Sequence, residues 1–156
     1  MNGSAPPNRP RDAATADVRG VLEGLRVVLV DDDPDARDLL TTVLMQRSAQ
    51  VFAAESASEA FELLRQERPH VLISDIAMPE EDGYTLIRRV RTLSEEEGGR
   101  TPSIAVTAYA GRADRHRALE AGFDAHCPKP IDIDGLIDRL IDIRYAHVGL
   151  KKLETT

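Results

Sequence analysis

The stretch that most constrains this chain is residues 71–83, Val-Leu-Ile-Ser-Asp-Ile-Ala-Met-Pro-Glu-Glu-Asp-Gly. A run of apolar and small residues stops abruptly at one acid, Asp75. Such a run, with no polar alternation, reads as a strand buried on both faces, the kind found in parallel sheets covered by helices. Asp75 then falls at the carboxyl end of its strand, the edge where open α/β sheets take their ligands. Pro79 and Gly83 force a structured loop before the next helix.

The remaining segments fit the same architecture. Residues 25–30 form a buried β-branched strand that runs into Asp31-Asp32-Asp33-Pro34. Pro34 suits a first helical turn, and the acids before it suit a helix N-terminus, with Asp33 as the cap. Ala36, Leu39, Leu40, Val43 and Leu44 recur at helical spacing and predict a one-sided helix to about residue 47. Residues 50–54 read as a second strand. The next helix starts at Ser56 or Ser58, buries Ala60, Phe61, Leu63 and Leu64, and ends before Pro69. After the Asp75 loop, whose Glu80, Glu81 and Asp82 read as solvated charges, a third helix over 84–92 buries Leu86, Ile87 and Val90. Its arginines 88, 89 and 91 are expected on the solvated face. A polar loop, 94–101, leads to a fourth strand, 103–106, ending at Thr107. A fourth helix over 113–121 closes at Gly122. A fifth strand, 124–127, runs into Pro128-Lys129-Pro130. The fifth helix begins near Asp132 and packs Ile133, Leu136, Ile137, Leu140 and Ile141. Five strands alternating with five helices, joined by right-handed crossovers, predict one doubly wound parallel sheet in three layers. Residues 25–146 form the expected domain; residues 1–24 are expected as a flexible tail or linker whose 20–24 stretch leads into the fold, and residues 147–156 as a tail.

Composition excludes several classes. The 156 residues suit one domain with a full core. A net charge of −7, from 20 basic and 27 acidic residues, argues against nucleic-acid binding as the main activity. No run approaches the ~18 apolar residues of a membrane span, and residues 1–7 hold no apolar signal core, so a cytoplasmic protein is expected. The single Cys127 excludes an internal disulfide, and with no activating partner legible in sequence it reads as a small buried residue.

In a parallel sheet all strand ends share one edge. Asp31, Asp32, Asp75, Thr107 and Lys129 therefore converge although they lie far apart in sequence. Carboxylates ~4 Å apart repel by about 4 kcal/mol per pair near a protein surface. Either one acid is protonated or a cation offsets them. Hard oxygen donors suit Mg²⁺, which takes one or two carboxylates plus phosphate oxygens. A carboxylate nucleophile, a lysine and a hydroxyl around such a site predict phosphoryl transfer. Each feature alone has a plainer reading: acids before a proline as helix capping, Thr107 as a strand-end hydroxyl, Lys129 as a surface charge. Their combination favours the site.

Taken together, Val30-Asp31-Asp32, the Asp75–Gly83 loop with Met78-Pro79, Thr107-Ala108 and Lys129-Pro130 resemble a response-regulator receiver domain of bacterial two-component signalling. The resemblance covers about residues 25–145. It implies a flavodoxin-like sheet in the order 2-1-3-4-5. It also implies that Asp75 takes a phosphoryl group from a histidine kinase or histidine phosphotransfer protein, becoming an aspartyl phosphate. Asp32 and Asp75 bind Mg²⁺ with the backbone carbonyl of Ala77, and Asp31 acts mainly through water. Lys129 pairs with Asp75 and then with the phosphoryl group, and Thr107 moves to it. His126 stands where many receivers have a switching Tyr or Phe. The Lys129-Pro130 bond is expected cis. Such a domain is not an enzyme: it promotes phosphotransfer to its own Asp75 and its own dephosphorylation, whose rate the small Ala77 leaves open. The helix-four, strand-five, helix-five face signals to a downstream protein partner. Basic helix four (Arg112, Arg115, Arg117) and acidic helix five (Asp134, Asp138, Asp142) read as a pairing surface for a phosphorylation-dependent homodimer. The chain reads as a stand-alone relay receiver or a module of a hybrid kinase. Two rivals remain: a non-phosphorylated protein-interaction domain on the same fold, and a hydrolase with an aspartyl nucleophile, for which no substrate cap is apparent.

Overall fold

The structure is a computed structural model and describes residues 19–109 and 111–149. Five strands, β1 (Arg26–Val30), β2 (Gln50–Ala54), β3 (Val71–Asp75), β4 (Ser103–Thr107) and β5 (Ala125–Pro128), alternate with five helices. The helices are α1 (Pro34–Met45), α2 (Ala57–Glu67), α3 (Gly83–Arg91), α4 (Arg112–Ala121) and α5 (Ile133–Arg144). All pairings are parallel and the strand order is 2-1-3-4-5.

Alternation along β1 explains the three layers. Val28 and Val30 face one way and pack with Phe61 and Leu64 of α2, Leu86, Ile87 and Val90 of α3, and Ala118 of α4. Val27 and Leu29 face the other way, against Leu40 and Leu44 of α1 and Leu136, Ile137 and Leu140 of α5. Successive strand residues point to opposite faces, so a strand covered on both sides must be apolar throughout, as β3 and β4 largely are. Helix starts follow the caps. The Asp33 carboxylate accepts from Asp35 N and the Ser56 hydroxyl from Glu59 N, while Pro34 opens α1.

Several expectations need correction. The expected tail over 1–24 meets described residues at 19–24. There Leu22 is fully buried with Leu25 in the core, and its amide donates to Arg47 O at 2.8 Å. The packed region thus begins before β1. Residues 1–18 lie outside the described residues, as do residues 150–156 of the expected C-terminal tail; Tyr145–Gly149 continue α5 as a π-helical turn. Leu39 and Ile141, expected in the core, are exposed. Each lies at the margin of its helix's apolar arc, beyond the reach of the sheet.

The arginines of α3 do not share one solvated face. Arg88 is exposed. Arg89 makes a two-pronged ion pair with Glu81, both oxygens 3.0 Å from one guanidinium nitrogen, and stacks 4.2 Å over the Phe61 ring. Arg91 is a clamp: it donates to the carbonyls of Gly99, Thr101 and Gly122, each at 2.9 Å, and to Asp124 Oδ2 at 3.1 Å. The same Asp124 oxygen accepts the Ser103 amide at 2.8 Å. Burial pulls the Arg91 pKa down while Asp124 pushes it up, with a net lowering. Arg91→Met keeps the apolar stem and strips donors from three carbonyls. It is expected to lower stability by about 2–3 kcal/mol. A urea midpoint unchanged from the parent chain contradicts the clamp.

Candidate functional site

Strand register builds the site. Val30 pairs with Ser74, Asp75 with Val106, and Thr107 with Pro128. The residues that leave the sheet at this edge are therefore Asp31, Asp75, Thr107 and Lys129, side by side.

Asp31 continues β1, its amide donating to Ala54 O at 3.3 Å. It is buried, and its Oδ1 accepts the Asp33 amide at 2.9 Å. Asp32 stays exposed, and Asp33 turns away to cap α1. Asp75 is buried at the end of β3, with Oδ1 accepting the Ile76 amide at 2.8 Å. The loop after it is held by the Gly83 amide on Ile76 O at 2.8 Å and by Asp82, whose Oδ1 accepts from Thr85 N at 2.9 Å. Glu80 takes the left-handed region, φ 70°. Two of the loop acids expected merely to be solvated therefore have specific partners: Asp82 caps α3, and Glu81 binds Arg89.

Lys129 Nζ lies 3.5 Å from Asp31 Oδ2 and 3.5 Å from Asp75 Oδ2. Its own amide donates to Thr107 O at 2.7 Å, and the Lys129-Pro130 peptide is cis, as expected. Burial, then the Asp31 charge, push the Asp75 carboxyl up to about 6; Lys129 and the Ile76 amide pull the other way and lose. Burial also works to lower the Lys129 pKa, but Asp75 and Asp31 outweigh it and hold the ammonium above its ordinary value.

The structure brings Asp31, Asp32 and Asp75 together, each offering an oxygen within 4.8 Å of the others. Three carboxylates face one ammonium here, so Lys129 offsets only part of that charge. Hard carboxylate oxygens with one exposed member fit Mg²⁺, which retains water in its shell. Thr107 is buried at the same edge, and its hydroxyl accepts the Tyr109 amide at 3.0 Å. Ala77 lies exposed in the Asp75 loop. His126 is half-buried; its Nε2 is 3.2 Å from Tyr109 O, so it meets the β4–α4 loop and not the acids. Cys127 is half-buried, and burial raises its thiol pKa, which disfavours the nucleophilic thiolate.

Sequence reasoning missed Arg37. Its guanidinium donates to the Asp31 carbonyl at 2.7 Å. A signal was present: a cation near the start of a helix opposes the positive end of the helix dipole, so an arginine there wants a specific acceptor.

Comparison with known proteins agrees with this geometry. The family model of the response regulator receiver domain matches residues 27–141. An uncharacterized 14.6 kDa protein of Leptolyngbya boryana is 49% identical over 111 residues, 71% of this chain and 83% of that protein. Hybrid signal transduction histidine kinase D of Dictyostelium discoideum is 30% identical over 131 residues, 80% of this chain but only 8% of that protein. The receiver domain of the Arabidopsis thaliana histidine kinase CKI1, complexed with Mg²⁺ and BeF₃⁻, superposes with TM-score 0.68 and 29% identity, covering 83% of this chain and 96% of that one. The chain therefore belongs to the response regulator receiver domain family of two-component signalling, and its 2-1-3-4-5 sheet is the flavodoxin-like fold of that family.

Proposed function

We propose that this domain accepts a phosphoryl group on Asp75 from a phosphohistidine of a histidine kinase or phosphotransfer protein, with Mg²⁺ held by Asp32, Asp75 and the carbonyl of Ala77 and by Asp31 mainly through water. The observation that carries this reading is the buried Asp75 carboxylate facing Lys129 within a three-acid cluster. In the transfer an Asp75 oxygen forms a bond to phosphorus as the phosphorus–nitrogen bond breaks. The electron pair leaves with the imidazole nitrogen, which takes a proton from solvent. Mg²⁺ would neutralise the acids and the phosphoryl oxygens, so that the two anions can meet.

The chain's own groups do the rest. The Ile76 amide fixes Oδ1 of Asp75 and leaves Oδ2 turned toward Lys129. The ammonium, shared by two acids, has only a short distance to move to a phosphoryl oxygen. Thr107 Oγ1 already accepts the Tyr109 amide, so its own proton is free to be donated. The phosphoryl group adds about −1.5 to −2 charges and three acceptors, enough to draw that hydroxyl inward. Tyr109 is bonded to Thr107 through its amide and to His126 through its carbonyl. The displacement thus reaches β5 and the α4–β5–α5 face that meets a downstream partner.

Incubation with Mg²⁺ and a small acyl phosphate tests the reading. The intact chain is expected to gain the mass of one phosphoryl group, and Asp75→Asn none. A parent chain that gains nothing, or a variant that gains as much, refutes it.

A further inference from the structure

We propose that Arg37 is a positioning residue for the acid cluster: by gripping the Asp31 carbonyl it fixes the Asp31–Asp32 peptide and so sets the affinity of the carboxylates for a divalent cation. The inference rests on the cation reading above and deepens it. Every polar atom of Asp31 is engaged. Its amide bonds Ala54 O, its Oδ1 takes the Asp33 amide, its Oδ2 faces Lys129, and its carbonyl accepts Arg37 at 2.7 Å. Asp32 follows directly and is exposed, so the direction of its carboxylate depends on that peptide. Arg37 itself is anchored by its amide on Asp33 O at 3.0 Å. Its half-buried guanidinium thus ties the first turns of α1 to the end of β1 across the acids. Partners that orient metal ligands without touching the metal commonly change affinity by about ten- to a hundredfold.

The sign of the effect separates this role from a purely electrostatic one. A guanidinium beside a cation site repels the cation, so if charge were its whole contribution, removing it would tighten binding. Loss of the grip weakens binding instead. A role in stability alone shifts the unfolding midpoint and leaves affinity where it was.

The test is calorimetric titration of the full unphosphorylated chain with Mg²⁺; the chain has no Trp to report binding by fluorescence. Arg37→Met, which keeps the apolar stem, is expected to weaken Mg²⁺ binding about tenfold. Arg37→Lys, which keeps a donor, is expected to recover most of it. Unchanged or tighter binding in Arg37→Met overturns the proposal. Should that variant not fold, Arg37→Gln takes its place with the same two outcomes. Asp75→Asn measured alongside keeps the two readings apart. A parent chain that takes up no Mg²⁺ overturns the cation reading and this inference together. Uptake weakened by Asp75→Asn and not by Arg37→Met overturns this inference alone.

Discussion

Asp75→Asn is expected to unfold at a higher urea concentration than the parent chain at pH 8 in metal-free buffer, and to lose that advantage by about pH 4. Burial and the neighbouring Asp31 raise this carboxyl from its ordinary 3.8 to about 6 in the folded chain. Between those values the folded state holds a proton that the unfolded state has released. The unfolding free energy therefore falls with rising pH. The stability contributed by the protonated group is fully present below about pH 4 and is lost as pH climbs to about 6. Above that, the ionised carboxylate costs on the order of 2–3 kcal/mol, because each tenfold change in proton affinity is worth about 1.36 kcal/mol. Asparagine has nearly the same shape and no charge, so it removes the cost. Urea midpoints of both proteins at pH 4, 6 and 8 read the difference directly, because the other carboxylates are common to both. Millimolar Mg²⁺ is expected to raise the parent midpoint at pH 8 and to affect Asp75→Asn far less. A variant no more stable than the parent at pH 8 means that Lys129 outweighs burial.

Gly83→Ala is expected to cost about 2–3 kcal/mol by overpacking and to slow acyl-phosphate uptake on the order of 100-fold. A Cβ at this position would lie 2.5 Å from Asp75 O and 2.9 Å from Ile76 Cα. Both obstacles are backbone, so no side-chain rotation relieves them. What must move is the peptide that carries Asp75, and a displacement approaching ~1 Å there misaligns the carboxylate with Lys129. Gly111→Ala is the matched control. Its Cβ would meet only the Asp114 carboxylate, at 3.1 Å, at an exposed helix N-cap, and a cost of no more than about 1 kcal/mol is expected. Equal losses in the two variants would falsify the argument from close approach.

The sheet and its acid edge were legible because both depend on simple periodicity. Apolar runs that end in Asp31, Asp75, Thr107 and Lys129 identify strand ends, and a parallel sheet gathers strand ends on one edge. The strand order came from family resemblance, since periodicity does not distinguish which buried strand lies beside which. What escaped were side chains whose partners are backbone carbonyls. Arg91 and Arg88 look alike in the helical pattern of α3, yet one is tied to three carbonyls and the other is exposed. Arg37 escaped for the same reason, its acceptor being the Asp31 carbonyl. Leu22 was hidden by the shortness of its apolar stretch; Val21 and Leu22 form a pair between Gly20 and Glu23, too short to show a period. Leu39 erred the other way, since a wide apolar arc places its marginal member in solvent.

The clamp at Arg91 bears on how a signal could travel. It pins the carbonyl of Gly122, where α4 ends, to the turns that precede β4. Along α4 only Ala118, near that same end, is fully buried. The start of the helix adjoins the loop that Thr107 holds. An α4 displaced through that loop would turn like a door hung on its far jamb, with the larger travel at the edge near Arg112 and the smaller at the clamped end.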